Sequence, residues 1–363
     1  MPWPPSAACN IDPLSVSLYL IVFAVVSAVV SLLLLSRLAT LVGLVDIPNT
    51  RKSHIGHIPV VGGLALVVSL CATTVVFDLN WPFNPVLSLL GLVLFTFGLV
   101  DDKVGLTPKL RILVQLSVAL LSVFVGDLHL YYFGDIFGYG DFYLGFWGEF
   151  LTVLAIVTAV NAFNMIDGID GLLALLLVNV FAAMALADPG LTPLYLVFIC
   201  SLLVFLVFNL GLFSTKNTNR KVFMGDAGSM MFGYLVVCLL IDKSQHPGIV
   251  IRPVTVLWII AIPLMDLVAI VIRRNRKKQP VMKADRDHLH HIFMRMGFSE
   301  RSALLVIISI AALFCAIGLA SEHYQINESI MFTAFLAVFS VYLYFILHAW
   351  RFIRLFNVLK RRR

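Results

Sequence analysis

Two carboxylates side by side, Asp101 and Asp102, end an apolar run in "LVDDKVG", and Asp167 and Asp170 stand three apart in "NAFNMIDGIDG" beside Asn161 and Asn164. A further carboxylate, Asp226, opens another apolar run in "FMGDAGS". Ionisable groups at the edge of hydrocarbon are costly and by default functional. Adjacent acids at a helix C-terminus face the negative end of its dipole and repel each other, so Asp101 and Asp102 ask for a cation, a phosphate-linked role or proton transfer. Asp167 and Asp170 share one face if a helix has begun by then. An N-cap accounts for one aspartate there, and not for two Asp and two Asn. Asp226 reads as an N-cap or, given its small neighbours Gly225, Ala227 and Gly228, as a group that a ligand or metal approaches closely.

Basic groups accompany the acids. Arg51 and Lys52 lie in the turn-rich "DIPNTRKSHIGHIPVVGG", a stretch that reads either as a positively charged loop or as a phosphate-binding one, Lys supplying a point charge and Arg a fork. Lys109 and Arg111 follow the aspartate pair and could hold an anionic partner. In "DRDHLHH", His288 and His291 share a face at helical spacing with His290 beside them, which resembles a metal site if each is neutral. Seven Lys and Arg between Arg273 and Arg286 suit a polyanion better, and point to pyrophosphate or nucleotide contact. Acids sufficient for Mg2+, a hard ion that takes few carboxylates plus substrate oxygens, thus accompany bases sufficient for phosphates. The chemistry indicated is phosphoryl transfer to or from something membrane-borne.

The elements that must position these groups are membrane helices. Of 363 residues 60% are hydrophobic and only 13% charged, about half the charge of an ordinary soluble domain. Mean hydropathy is +0.98. Eleven apolar runs are expected as transmembrane helices of an all-α polytopic protein: roughly 16–36, 60–78, 85–100, 110–126, 146–163, 170–187, 191–213, 226–241, 250–272, 302–320 and 329–349. None shows the alternation of a lipid-facing barrel. The first run is too long for a signal-peptide core and is read as a retained span. The five cysteines are scattered and form no C-x-x-C pair.

Orientation comes from the basic residues, because positive charge is retained on the cytoplasmic side. All of the 26 Lys and Arg except Lys243 and Arg252 fall on one set of connections. The N-terminus is therefore expected outside and the C-terminus inside, with every acid and histidine cluster named above facing the cytoplasm. The chain, 1–363, reads as a single membrane domain with a basic and histidine-rich loop at 273–301 and a basic tail at 350–363 that suits anionic head groups. Membrane lipids are expected partners and nucleic acid is not.

In their order and topology, "DDK" at 101–103, "NAFNMIDGIDG" at 161–171, "FMGDAGS" at 223–229 and "DRDHLHH" at 285–291 resemble the motifs of the polyprenyl-phosphate N-acetylhexosamine-1-phosphate transferase family. The resemblance covers nearly the whole chain, from "GLVDIPNTRKSHIGHIPVVGG" at 43–63 onward. It implies transfer of GlcNAc-1-phosphate from UDP-GlcNAc to undecaprenyl phosphate, with Mg2+ as cofactor and Mn2+ able to substitute. The reaction would be the first membrane step of O-antigen and enterobacterial common antigen synthesis, at the cytoplasmic face of a bacterial inner membrane. By the same resemblance Asp226 and Asn164 are metal ligands, and Asp167 and Asp170 are ligands or positioning groups. Asp101 and Asp102 belong to the metal or to the base that deprotonates the lipid phosphate. His288, His290, His291, Arg286 and Asn161 are assigned to the sugar nucleotide, and Arg51, Lys52, Lys109 and Arg111 to the lipid phosphate. A homodimer is compatible with this reading. Some relatives carry another Asp shortly after the aspartate pair, where this chain reads "KVG". Asp266, within the ninth run, is also ionisable at depth and is expected to support the site. Competing readings are another donor, UDP-GalNAc or UDP-MurNAc-pentapeptide, and an ion-coupled secondary transporter. The acids lie at helix ends and no half-chain repeat shows, which speaks against the transporter.

Overall fold

The computed structural model describes residues 13–46, 56–214, 220–245, 249–280 and 288–354. Thirteen helices account for nearly all of it: α1 (Pro13–Val42), α2 (Gly62–Val76), α3 (Pro85–Val104), α4 (Pro108–Phe124), α5 (Trp147–Ile166), α6 (Leu172–Ala187), α7 (Thr192–Asn209), α8 (Gly225–Gln245), α9 (Pro253–Ile259), α10 (Ala261–Arg276), α11 (Leu289–Arg295), α12 (Glu300–His323) and α13 (Glu328–Leu347). Two residues each make β1 (Val45–Asp46) and β2 (Ile58–Pro59), which pair antiparallel. Several starts are written locally. Asn84 and Thr107 each accept a backbone N–H three residues on and are followed by Pro85 and Pro108, whose fixed φ suits the first helical position.

Each of the eleven apolar runs is helical, and seven of the helices are long and apolar enough to cross a membrane. The run at 250–272 is broken instead: α9 and α10 meet at 81°. Pro263 explains the place of the break, since it lacks an N–H and its ring crowds the carbonyl four residues back, at Ile259, where α9 ends. Counted as one bent span, this pair gives eight. The runs at 60–78, 110–126 and 170–187 fold as helices α2, α4 and α6 of 15, 17 and 16 residues, short of the roughly 20 that a straight crossing requires.

The central post is α8, wrapped by protein over most of its length and apolar on all sides, as a helix surrounded by others must be. It packs against α3, α5 and α2, and α5 in turn carries α4 and α10. Twenty-one residues make α8 about 30 Å long, so Asp226 and Lys243 stand near opposite ends of the molecule. Lys243 is held there by Asp188 at 3.1 Å.

Candidate active site

The segment before α8 is fixed from both sides. Phe223 N–H donates to Pro59 O at 2.9 Å, and Gly62 and Gly63 donate to Phe223 O and Met224 O at 2.8 and 3.0 Å. The stretch after β2 therefore runs along "FMGD" and holds Asp226 where α8 begins. Across this junction the Asp102 carboxylate, near the end of α3, accepts the backbone N–H of Asp226 at 2.8 Å and of Ala227 at 3.1 Å. A helix start leaves such amides without intrahelical partners. Here the cap comes from another helix. Gly225 makes room for it, with φ of +81° and a position where a Cβ would lie 2.6 Å from Asp102 Oδ2.

Asp101 does different work. It is buried, accepts the Leu106 N–H at 2.7 Å, and is gripped by Arg111 through Nε at 2.6 Å and Nη2 at 2.9 Å. The same guanidinium reaches Asp226 Oδ2 through Nη1 at 3.1 Å. Arg111, expected at the lipid phosphate, pairs here with two carboxylates, while Lys109 sits exposed on the first turn of α4. Only a planar fork of donors reaches two acids this way.

From α5, Asn164 Nδ2 donates to Asp226 Oδ1 at 2.8 Å and to Ser229 Oγ at 2.9 Å, leaving Oδ1 as its acceptor for a ligand or cation. One turn earlier Asn161 Nδ2 donates to Gln115 Oε1 at 2.6 Å and to Val157 O at 2.8 Å. Asp170 is neutralised by Lys221 at 2.5 Å. Asp167, at the end of α5, is open to solvent yet lies in a recess crowded by protein. Burial there, reinforced by the charges of Asp226, Asp170 and Asp102, pushes its pKa up to about 7.

The histidine turn closes over the same loop. A Cβ at Gly168 would stand 2.3 Å from His290 Nε2, so the imidazole lies directly on that backbone. His288 and His290 stack in parallel at 5.9 Å, and His290 and His291 lie 4.2 Å apart. Among the described residues, neither buried ring nitrogen of His290 has a hydrogen-bond partner. Burial, then the neighbouring His291 and His288, pushes its pKa down to about 3, and it is neutral. A buried polar ring left unpaired is costly, and such groups in a folded protein call for an explanation. Arg51, Lys52 and Arg286 lie outside the described residues.

Among the described residues no three His, Cys, Asp or Glu side chains are grouped closely enough to hold an ion alone. The donors present are oxygen-rich, with Asp226 and Asn164 in mutual contact and Asp167 beside them as a carboxylate with raised pKa. That set fits a hard divalent ion that keeps waters and ligand oxygens in its shell, and does not fit an all-protein cage.

Acids from three helices, two amides and a histidine turn therefore meet at one end of a membrane bundle. A family model described as "Glycosyl transferase family 4" matches residues 84–244, the stretch that holds Asp101, Asp102, Asn164, Asp167, Asp170 and Asp226. Over 343 residues the chain is 41% identical to an undecaprenyl-phosphate alpha-N-acetylglucosaminyl 1-phosphate transferase of Haemophilus influenzae, covering 92% of this chain and 95% of that one. The chain belongs to glycosyl transferase family 4. A second relative of the same description, from Escherichia coli strain K12, is 40% identical over 332 residues with 90% of each covered, and one from Pasteurella multocida is 41% identical over 345. The resemblance first seen in four motifs holds over nearly the whole chain. Within this glycosyl transferase the sequence did not announce Gln115 as the partner of Asn161, Tyr342, whose hydroxyl donates to Asp266 at 2.7 Å, or the 2.7 Å bond between Asp266 and His288. An aspartate inside an apolar run was the visible signal for Asp266; Gln115 and Tyr342 gave none.

Proposed function

We propose that the chain transfers GlcNAc-1-phosphate from UDP-GlcNAc to undecaprenyl phosphate, giving undecaprenyl-diphosphate-GlcNAc and UMP. The relatives' names give the acceptor, undecaprenyl phosphate, and the transferred N-acetylglucosaminyl 1-phosphate group. The observation that carries the reading is the contact of Asp226 with Asn164 and Arg111, with His290 resting on Gly168 beside Asp167, where anionic diphosphate can meet both a cation and donors.

An oxygen of the lipid phosphate forms a bond to the sugar-bearing phosphorus, and the bond from that phosphorus to the bridging oxygen breaks. UMP leaves with the electron pair. The second pKa of a phosphate monoester is about 6, so at neutral pH the acceptor is mostly dianionic and needs little help from a base. Positioning and charge neutralisation then dominate the rate. Asp226, Asn164 and Asp167 would hold Mg2+, with Mn2+ able to replace it. When bound, the ion would neutralise the diphosphate and the leaving oxygen. Arg111 fixes Asp226, Asp102 fixes the start of α8, and the histidines engage the sugar nucleotide. Lys109, with Arg51 and Lys52, is left for the lipid phosphate.

The positive charge bias supports eleven crossings, with α2, α4 and α6 as short spans, the N-terminus outside, and the site at the cytoplasmic face of a bacterial inner membrane. It also supports a basic tail at 350–363 held at lipid head groups. Residues 355–363 lie outside the described ones.

Competition among donors tests the reading. Purified protein with undecaprenyl phosphate and Mg2+ should release UMP from UDP-GlcNAc in preference to UDP-GalNAc or UDP-MurNAc-pentapeptide. Preference for either of the others would overturn the donor, and release from none would overturn the reaction.

A further inference from the structure

Three donors converge on one buried carboxylate away from the acids just described. Asp266, on α10, accepts Tyr342 Oη–H at 2.7 Å and Leu289 N–H at 3.1 Å through Oδ1, and bonds His288 Nδ1 at 2.7 Å through Oδ2. Both Asp266 and His288 are nearly inaccessible to water. Tyr342 comes from α13, so helices far apart in sequence meet at this acid and the histidine turn is tied to them.

An ionised carboxylate accepts only, so Nδ1 of His288 must carry a proton and Nε2 is the atom left to meet a ligand. A carboxylate fixing an imidazole in this way sets both tautomer and ring direction. The orientation propagates, because His288 stacks on His290 and His290 rests on Gly168. The path runs from Asp266 to the loop bearing Asp167 and Asp170.

We propose that Asp266 is a positioning residue for the sugar-nucleotide donor, acting through His288, with Tyr342 holding the carboxylate in place. The inference rests on the transferase reading above and assigns Asp266 no contact with substrate. Losing it should weaken recognition of the donor diphosphate while the lipid acceptor, bound elsewhere, is unaffected.

The test uses the full-length protein in detergent and four variants: Asp266→Asn, Tyr342→Phe, His288→Gln and the double variant Asp266→Asn with His288→Gln. For Asp266→Asn the KM for UDP-GlcNAc should rise about tenfold or more, the scale of one lost charge-assisted hydrogen bond, with the KM for undecaprenyl phosphate unchanged. Tyr342→Phe should give a smaller rise of the same kind. Because Asp266 acts through His288, the double variant should be no worse than the poorer single one, whereas a general packing role would multiply the losses. UMP binding by calorimetry should weaken as the donor KM rises. Equal rises in both KM values, or multiplicative losses, would overturn the proposal. If Asp266→Asn does not accumulate, Tyr342→Phe and its double with His288→Gln decide by the same criteria. An inactive parent protein would instead overturn the transferase reading.

Discussion

Asp102 on α3 caps α8 by accepting the backbone N–H of Asp226 at 2.8 Å, and so positions the acid beside it. The two carboxylates should then fail differently when replaced. Asp102→Ala should lower stability by about 2 kcal/mol, the cost of a cap with charge-assisted bonds, and lower turnover with it. Asp226→Asn should keep the melting temperature within a few degrees while turnover falls by about a thousandfold, the scale of losing a group aimed at developing charge. Thermal unfolding in detergent together with initial rates separates them. A stable, inactive Asp102→Ala would place that residue in the chemistry itself.

Arg111 joins the buried Asp101 to Asp226. Arg111→Ala leaves Asp101 as an uncompensated buried charge and should cost about 3 kcal/mol or more, visible as lost protein in the membrane fraction. Arg111→Lys restores the charge without the fork, and should recover folding while leaving turnover low. Wild-type rates in Arg111→Lys would show that charge alone suffices.

Asp167 has a pKa raised to about 7, so in the metal-free protein it is protonated below neutrality and ionised above. A nearby cation favours the ionised form, and proton and Mg2+ therefore compete. Activity should rise with pH through about 7 when Mg2+ is limiting, and this acid limb should move to lower pH as Mg2+ is increased. A limb that stays fixed across the Mg2+ titration would remove Asp167 from the cation's surroundings.

Gly168 lies under His290 so closely that a Cβ would collide with the ring at 2.3 Å. Gly168→Ala should lift the histidine turn and raise the KM for UDP-GlcNAc about tenfold, on the scale of a displaced binding group, with the acceptor KM unchanged. Rates with each substrate varied in turn check this. An unchanged donor KM would mean that His290 has no part in recognising the nucleotide sugar.

These residues show what the sequence made readable. Apolar run length announced the helices, and acids at run ends announced the site, because both signals are local. Asp101, Asn164 and Asp226 were visible as candidates from their own neighbourhoods. Their division of labour was not, since it depends on contacts across 62 residues for Asn164 with Asp226 and 124 for Asp102 with Asp226. The same holds for Asp266, whose partner His288 is 22 residues away across the α10–α11 connection. The bend between α9 and α10 was hidden inside one apolar run, and only Pro263 hinted at it. The pairing of β1 with β2 escaped a reading in which turn residues signalled a loop.

If these converging acids join a sugar phosphate to a lipid phosphate, mass spectrometry will show it in the lipid product. Purified protein with UDP-GlcNAc, undecaprenyl phosphate and Mg2+ should yield undecaprenyl-diphosphate-GlcNAc and an equal amount of UMP, and neither product should form with Asp226→Asn or after chelation. UMP released without the lipid product would show that no such transfer occurs, and product formed undiminished by Asp226→Asn would show that Asp226 takes no part in it.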